Sequence, residues 1–384
     1  MQSSKPHKKI PEVRIRKLNT ISPDNSSNYF RLDDSNGNNP LVDLCSNDYL
    51  GLSRDKGIQN LAIKTMREEG LGSGASRFIS GSRPIHKKLE KNLGEWLDRE
   101  TVLLFPSGYQ ANIAAVNALA NRNTIVIADK LIHHSLLVGI RTSGAKLVRY
   151  SHNNLKILEK LLEKHCIKSS LKEIVVITES LFSMEGSISP IKEIAFLCNH
   201  FGAKLIVDEA HSLGILGEEG KGLSFKIRSG ISIISGTFGK AFGGGGAFLA
   251  CDEITGEHLI QNSGEFRYTT ALAPPLAGGA LESLRKIQNN HHWGEELLNL
   301  SKVWKTKLEK YTNFCYRGDA QILSLITYQE LEAIRLQKKL QENGILCIAI
   351  RPPTVPQGES RLRITLRRNL SEEILIKLIR ILNE

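Results

Sequence analysis

Residues 232–246 read Ser-Ile-Ile-Ser-Gly-Thr-Phe-Gly-Lys-Ala-Phe-Gly-Gly-Gly-Gly, a short β-branched run followed by one lysine and four glycines. A lysine just past a buried strand can be desolvated, which frees its amine to form a Schiff base. Ser235, Thr237 and the open backbone N–H groups of the glycines suit a phosphate. Taken alone, this stretch is typical either of a lysine, Lys240, that holds pyridoxal phosphate (PLP), or of a Gly-rich turn with a surface lysine.

The composition is that of a globular protein. The chain has 384 residues, which is enough for a sizeable core and usually for two domains. No apolar run reaches the roughly 18 residues of a membrane span, and residues 1–9 are polar and basic, so we predict no membrane partner and no secretory signal. The six cysteines are scattered without a C-x-x-C pair, which predicts reduced thiols, no metal site and a cytoplasmic protein.

The chain is basic, with 51 lysines and arginines against 40 aspartates and glutamates, a formal net charge of +11. Such an excess can attract nucleic acid, an acidic carrier protein or an anionic substrate. No Lys/Arg block or aromatic-basic pattern accompanies the charge, so we predict no nucleic-acid partner. A nucleotide or nucleic-acid binder that uses the Gly-rich loops remains the alternative from another class.

Strands and helices alternate between residues 101 and 250. The predicted strands cover residues 101–105, 124–128, 146–150, 173–178, 203–207, 231–235 and 245–250. Because helices separate these apolar strands, we expect an α/β fold with a mostly parallel, seven-stranded sheet covered on both faces. Residues 23–40 are rich in Pro, Asn, Asp and Ser, and they predict a loop.

The character of the sequence changes after Pro274 and Pro275. Long charged helices are predicted over residues 276–312, followed by shorter strands and helices up to residue 382. We therefore predict three parts, which are an N-terminal segment (1–45), a large domain (46–275) and a smaller α+β domain (276–384).

Ligands of such sheets collect at the carboxyl ends of the strands, so the residues that follow each strand are candidate ligands. Ser107-Gly108-Tyr109 opens a helix, which predicts an anion site or only an N-cap. His133 can stack on a flat ring, although a capping or surface histidine has the same pattern. Asp208 ends a buried strand, where a carboxylate needs a cationic partner such as a pyridinium, unless it is a helix cap or half of a core ion pair. Together with Lys240, these residues form a complete set for PLP.

Five stretches make this chain similar to the α-oxoamine synthases, a family of fold-type I PLP enzymes, from about Asn47 to Arg363. They are residues 47–52 (NDYLGL), 72–77 (GSGASR), 207–212 (VDEAHS), 236–241 (GTFGKA) and 268–271 (YTTA). The resemblance implies a fold-type I transferase, with a large PLP-binding domain and a smaller C-terminal domain.

The resemblance also implies how PLP is bound. Lys240 would form the Schiff base, Asp208 would pair with the ring nitrogen, and His211 would bond to the phenolic oxygen. His133 would stack on the ring. The other residues it implies are Ser107, Gly108, Tyr109 and Thr237 at the phosphate, Ser183 near the ring oxygen, and Thr269 and Thr270 at the phosphate of the partner subunit's cofactor in a homodimer.

For the substrate, the resemblance implies that Asn47 and Arg363 receive the amino-acid carboxylate, a bidentate task that suits an arginine. Arg361 is the other candidate, and we expect the two arginines to point in different directions, so that only one faces the site. Thr354, in the run 350–356 (IRPPTVP), is the remaining substrate-binding residue implied. Arg14 and Arg16 carry no match, and a role for them at an acyl substrate is a hypothesis.

The activity implied is set by residues 350–356 and 361–366 (RLRITL), which discriminate within the family. They indicate the decarboxylating condensation of L-alanine with a pimeloyl thioester, carried by coenzyme A or by acyl carrier protein. The sister reactions of the family remain alternatives. These use glycine with acetyl-CoA or succinyl-CoA, or serine with palmitoyl-CoA.

Overall fold

The computed structural model describes residues 10–24, 29–32, 40–168 and 173–384. The chain divides into two units. One consists of residues 47–300, and the other combines the described residues up to 46 with residues 301–384. The domain boundaries predicted from the sequence lie at 45 and 275.

The elements of the described residues are as follows, in chain order. The strands are β1 (Ile21–Pro23), β2 (Tyr29–Leu32), β3 (Leu41–Asp43), β4 (Thr101–Phe105), β5 (Ile125–Asp129), β6 (Lys146–Tyr150), β7 (Ile174–Glu179), β8 (Lys204–Asp208), β9 (Ile233–Thr237), β10 (Ala247–Cys251), β11 (Cys315–Arg317), β12 (Ile322–Tyr328), β13 (Ile345–Leu346), β14 (Ile348–Ile350) and β15 (Ser360–Thr365). The helices are α1 (Lys56–Glu69), α2 (Pro84–Leu97), α3 (Gly108–Leu119), α4 (His134–Ser143), α5 (Leu155–Lys168), α6 (Ile191–His200), α7 (Glu253–Asn262), α8 (Gly264–Arg267), α9 (Pro274–Asn289), α10 (Trp293–Tyr311), α11 (Glu330–Glu342) and α12 (Glu372–Asn383).

A seven-stranded sheet lies at the centre of the 47–300 unit, with the order β4-β10-β9-β8-β7-β5-β6 among the described residues. β10 runs antiparallel to both of its neighbours, and the other paired strands are parallel. β5, β7, β9 and β10 are buried along their whole length, as expected for apolar strands covered on both faces. The predicted α/β fold is confirmed.

Two pairs of helices in this unit pack closely through glycines. In α4, a Cβ at Gly139 would lie 2.8 Å from Cβ of Val116 in α3, so a glycine allows these helices to approach. In α9, a Cβ at Gly278 would lie 2.3 Å from Oγ1 of Thr65 in α1. Because α9 packs on α1, this unit extends beyond residue 275.

The other unit contains two four-stranded sheets, ordered β1-β2-β3-β13 and β11-β12-β15-β14 among the described residues. β2 lies within residues 23–40, so the loop predicted there is wrong for Tyr29–Leu32. This strand pairs with β1 on one side and β3 on the other, and that pairing outweighs the turn-forming residues around it.

No described helix is both long and apolar enough to cross a membrane. In the described ranges no group of His, Cys, Asp and Glu is arranged to hold a metal ion. All six cysteines are free thiols.

Candidate active site

The register of the central sheet brings three polar residues into one row. Glu179 at the end of β7 pairs with Asp208 at the end of β8, and Asp208 pairs with Ser235 in β9. Lys240 follows three residues after the end of β9. A cavity at this edge is lined by Gly108, Tyr109, Asn112, His133, Glu179, Asp208, Ala210, His211, Ser235, Gly236, Thr237 and Lys240.

Asp208 places a buried carboxylate in this cavity, with 5% of the residue exposed. Its Oδ2 accepts a hydrogen bond from Nδ2 of Asn112 at 2.7 Å, and its Oδ1 accepts one from the backbone N–H of Ala210 at 2.9 Å. Both donors are neutral, whereas a buried carboxylate is stabilised best by a cation. A pyridinium N–H in the cavity would supply that cation, so the donor set fits PLP.

His133 caps the N-terminus of α4 and presents its ring to the cavity. Its Nδ1 accepts a hydrogen bond from the backbone N–H of Ser135 at 3.3 Å and lies 2.7 Å from that residue's hydroxyl. Burial lowers the pKa of His133, although the charge of Asp208 acts in the opposite direction. These contacts hold a neutral imidazole whose face can stack on a flat ring.

A chain of hydrogen bonds connects this histidine with Asp208. Nδ2 of Asn112 in α3 donates to the Ser135 hydroxyl at 2.9 Å as well as to Asp208. The close packing of α3 on α4 therefore links the carboxylate at the end of β8 to the imidazole after β5. Asn112 is buried, and its Oδ1 has no hydrogen-bond partner among the described residues.

His211 lines the opposite part of the cavity and contacts Tyr49. The Tyr49 hydroxyl lies 2.5 Å from Nδ1 of His211 and 3.3 Å from Oδ1 of Asn47. Tyr49 is fully buried. A tyrosine that donates to Nδ1 leaves the proton of a neutral imidazole on Nε2, which is the form that can donate to a phenolic oxygen.

The candidate phosphate end of the cavity is formed by the start of α3 and the end of β9. Ser107 is the N-cap of α3, with its hydroxyl accepting from the backbone N–H of Gln110 at 3.3 Å. Gly108 follows it, and a Cβ there would lie 3.6 Å from Cβ of Thr237, so the two elements meet at this point. A helix N-terminus beside a hydroxyl favours an anion.

The structure brings most of the predicted cofactor residues together. Gly108, Tyr109, His133, Asp208, His211, Thr237 and Lys240 all line the cavity. Among the described residues, the lining does not include Ser107, Asn47, Ser183, Thr269 or Thr270. Thr269 and Thr270 follow α8, and Ser183 lies in the loop after β7. The roles of all the predicted site residues, whether or not they line the cavity, stay predictions.

The predicted substrate arginines both lie on β15, in the other unit. Residues two positions apart on a strand leave the same face, so the expectation that they point in different directions is wrong. Arg361 and Arg363 differ instead in the side chains that they contact. Nη2 of Arg361 pairs with Oε2 of Glu359 at 3.1 Å, and Nη1 of Arg363 donates to Oγ1 of Thr365 at 2.7 Å.

The N-terminal segment contacts helix α11 and the loop after β14 within this unit. Arg14 forms a bidentate ion pair with Glu330, with Nη2 2.7 Å from Oε1. Nη2 of Arg16 donates to Oγ1 of Thr354 at 2.9 Å, and Arg351 donates to the carbonyl of Val13. Thr354 is thus in contact with one of the two arginines for which the sequence suggested an acyl-substrate role.

Four residues of the site were missed as functional candidates, namely Tyr49, Asn112, Ser135 and Glu179. Each contacts a predicted residue, and of the four only Glu179 lies at a strand end. Glu179 alone had a usable signal, because it immediately follows a predicted apolar strand. The others lie in helices or in a turn, and only the packing shows their contacts.

Comparisons with known proteins agree with this fold, which is that of a fold-type I transferase. The model of the aminotransferase class I and II family matches residues 39–382. An 8-amino-7-oxononanoate synthase from Alkalilimnicola ehrlichii is 37% identical over 329 residues, which cover 85% of this chain and 83% of that protein. The chain belongs to the aminotransferase class I and II family and, within it, to the 8-amino-7-oxononanoate synthases of the α-oxoamine synthase group.

Solved structures with a similar fold include the following two. A crystal structure of 8-amino-7-oxononanoate synthase from Francisella tularensis is 29% identical, has a TM-score of 0.76, and covers 89% of this chain and 96% of that one. A serine palmitoyltransferase from S. paucimobilis with a bound PLP–myriocin aldimine has a TM-score of 0.89 at 24% identity, covering 95% of this chain and 91% of that one. This second likeness concerns the fold alone.

Proposed function

We propose that this chain is a PLP-dependent enzyme that condenses L-alanine with a pimeloyl thioester to give 8-amino-7-oxononanoate, carbon dioxide and the free thiol, a step of biotin synthesis. One observation carries the proposal. A lysine, a buried carboxylate and an imidazole, from Lys240, Asp208 and His133, line one cavity at the carboxyl edge of the sheet. The relatives named 8-amino-7-oxononanoate synthase support the choice of substrates.

The cavity residues would hold the cofactor at its three distinct groups. Lys240 would bind the aldehyde, Asp208 the ring nitrogen, and Thr237 with the N-terminus of α3 the phosphate. When bound, PLP supplies an electron-withdrawing ring that stabilises negative charge at the α-carbon of the amino acid. Asp208 maintains this property because it keeps the proton on the ring nitrogen.

Lys240 is the proposed acid–base residue. Once an amino acid occupies the cavity, the Lys240 amine is free, and it removes the proton from the substrate's α-carbon and later returns one. His133 would pack against one face of the ring and exclude water from that face. His211, with its proton on Nε2, would donate to the phenolic oxygen.

The proposal also assigns residues to the two substrates. Asn47 and Arg363 are the proposed ligands of the alanine carboxylate, and Thr354 is the proposed ligand on the acyl side. Arg16 contacts Thr354 and adds a cation there, which supports the hypothesis that it serves the acyl substrate. Both thioester donors are anionic, which is consistent with the net charge of +11.

A comparison of substrates tests this proposal. Purified enzyme is given alanine, glycine or serine, each with pimeloyl-CoA, pimeloyl-acyl carrier protein, acetyl-CoA, succinyl-CoA or palmitoyl-CoA, and products are identified by mass. We expect 8-amino-7-oxononanoate from alanine and a pimeloyl donor, at least tenfold faster than any other pair, and no product with Lys240→Ala. Faster turnover of glycine or serine would overturn the substrate assignment.

The proposal includes a homodimer in the cytoplasm. Phe78 and Ile79 are large apolar residues, 50% and 79% exposed, and Tyr268 is 80% exposed beside Thr269 and Thr270. Such exposed apolar side chains favour a partner surface, which supports the trans role of the two threonines. Free, scattered cysteines support a reducing compartment.

A further inference from the structure

Glu179 is a buried carboxyl residue of the cavity to which neither the sequence nor the proposed chemistry assigns a task. It ends β7 and is 3% exposed. Its Oε1 accepts a hydrogen bond from the backbone N–H of His133 at 2.5 Å. The residue that would stack on the cofactor is therefore held through its backbone by a side chain from the neighbouring strand.

The charges around Glu179 favour its neutral form. Asp208 is its partner in the adjacent strand, and Glu185 in the loop after β7 adds a second negative charge. Lys240, after β9, is the positive group that acts on it. Burial raises the pKa of Glu179 well above its usual range, and the charge of Asp208 raises it further. Two adjacent buried carboxyls do not both ionise readily, so one of them holds a proton.

We propose that Glu179 is a positioning residue. As a neutral carboxyl, it fixes the backbone of His133 so that the imidazole lies against the bound cofactor. It also leaves Asp208 as the charged partner of the ring nitrogen. This inference rests on the proposed function, because it assumes that the cavity holds PLP. Glu179 acts through His133 and takes no part in bond making.

Two substitutions at Glu179 distinguish the effect of its hydrogen-bond acceptor from the effect of its charge. Glu179→Gln keeps an oxygen that accepts from the His133 N–H and is neutral at every pH. Glu179→Ala removes the acceptor and leaves a buried backbone N–H without its partner. Glu173→Ala is the matched control. Glu173 immediately precedes the first residue of β7 and forms an exposed ion pair with Lys204.

The experiment titrates PLP into the apoenzyme of each variant and follows the absorbance of the bound cofactor from pH 6 to 9, with the melting temperature of each apoenzyme as a measure of folding. We expect Glu179→Ala to weaken PLP binding about tenfold or more, since one buried hydrogen bond is lost. Glu179→Gln should bind PLP within about threefold of the parent and show the same pH dependence, and Glu173→Ala should match the parent.

Two results would overturn the inference. Equal PLP affinity in Glu179→Ala and the parent would show that the hydrogen bond does not position His133. A shifted pH dependence in Glu179→Gln would show that Glu179 is charged, and this variant decides the matter even if Glu179→Ala does not fold. Failure of the proposed function looks different, because the parent itself would then gain no absorbance from PLP, or Lys240→Ala would gain the same absorbance as the parent.

Discussion

Asp208 and Glu209 are adjacent buried carboxylates with different predicted tasks, and replacing each by its amide tests this difference. Asp208 faces the cavity, and two neutral donors, the Asn112 amide and the Ala210 backbone N–H, hydrogen-bond to it. Glu209 is fully buried and is surrounded by donors, with Oε1 accepting from the backbone N–H of Ser224 at 2.7 Å and Oε2 from that of Leu223 at 3.2 Å. Asp208 should therefore contribute to cofactor binding, and Glu209 to the stability of the fold.

The magnitudes follow from these contacts. Asp208→Asn replaces the charged acceptor of the ring N–H, and loss of a buried, charge-assisted pair costs about 3 kcal/mol or more. Since 1.4 kcal/mol corresponds to tenfold, the affinity for PLP should fall about 100-fold or more. Glu209→Gln turns an NH₂ group toward N–H donors and should cost about 2–4 kcal/mol of folding stability, with little change in PLP affinity.

The assay is a titration of each apoenzyme with PLP, followed by absorbance, together with urea denaturation of the same samples. We expect the affinity to fall in Asp208→Asn alone and the denaturation midpoint to fall most in Glu209→Gln. Binding of PLP by Asp208→Asn within threefold of the parent, or an equal loss of affinity in Asp208→Asn and Glu209→Gln, would contradict this difference between the two carboxylates.

Three further predictions concern single contacts. Tyr49→Phe leaves Nδ1 of His211 without its partner, and it should weaken PLP binding about tenfold, measured by the same titration. His86 has a pKa lowered to about 4 by burial, so the unfolded chain binds a proton below about pH 6.5 while the folded chain does not. Stability should fall from pH 7.5 to 5, and His86→Gln should remove about 1–2 kcal/mol of that fall in urea denaturation. Glu90→Ala strands the guanidinium of Arg77, whose Nη1 lies 2.6 Å from Oε1, and should cost about 3 kcal/mol of stability.

Controls for these variants come from exposed positions. Tyr311→Phe should leave PLP affinity unchanged because that side chain is half exposed and belongs to the other unit. Glu95→Ala lies on the same helix as Glu90, in an exposed pair with Lys91, and should change stability by less than about 0.5 kcal/mol. The prediction for Glu90 is contradicted if Glu90→Ala and Glu95→Ala lose equal folding stability. The prediction for His86 is contradicted if the pH dependence of stability is unchanged in His86→Gln, and that for Tyr49 if Tyr49→Phe binds PLP as tightly as the parent.

The strands of the central sheet were predictable because most of them are short, buried apolar runs. Predicted and observed bounds agree for β4 and β6 and differ by one or two residues at the others. The antiparallel direction of β10 was not predictable, since pairing direction depends on the neighbouring strands rather than on local pattern. β2 was missed because a four-residue strand among turn-forming residues is stabilised by its partners β1 and β3.

The cavity residues were predictable where they directly follow a strand, as Asp208 and His133 do. The residues that hold them were not, because Tyr49 and Asn112 reach the site through packing between distant segments, and Ser135 meets His133 only through the geometry of the α4 N-cap. The two arginines of β15 show a different limit. Strand periodicity puts Arg361 and Arg363 on one face, and only their partners, Glu359 and Thr365, tell them apart.

Identification of the lysine that carries the cofactor tests the central claim most directly. The purified enzyme is incubated with PLP, reduced with borohydride, digested and analysed by mass spectrometry. The expected result is that the reduced cofactor is attached to the peptide that contains Lys240, and that Lys240→Ala yields no labelled peptide. Attachment to another lysine of the parent enzyme, such as Lys130 after β5, or no attachment at all, would contradict it.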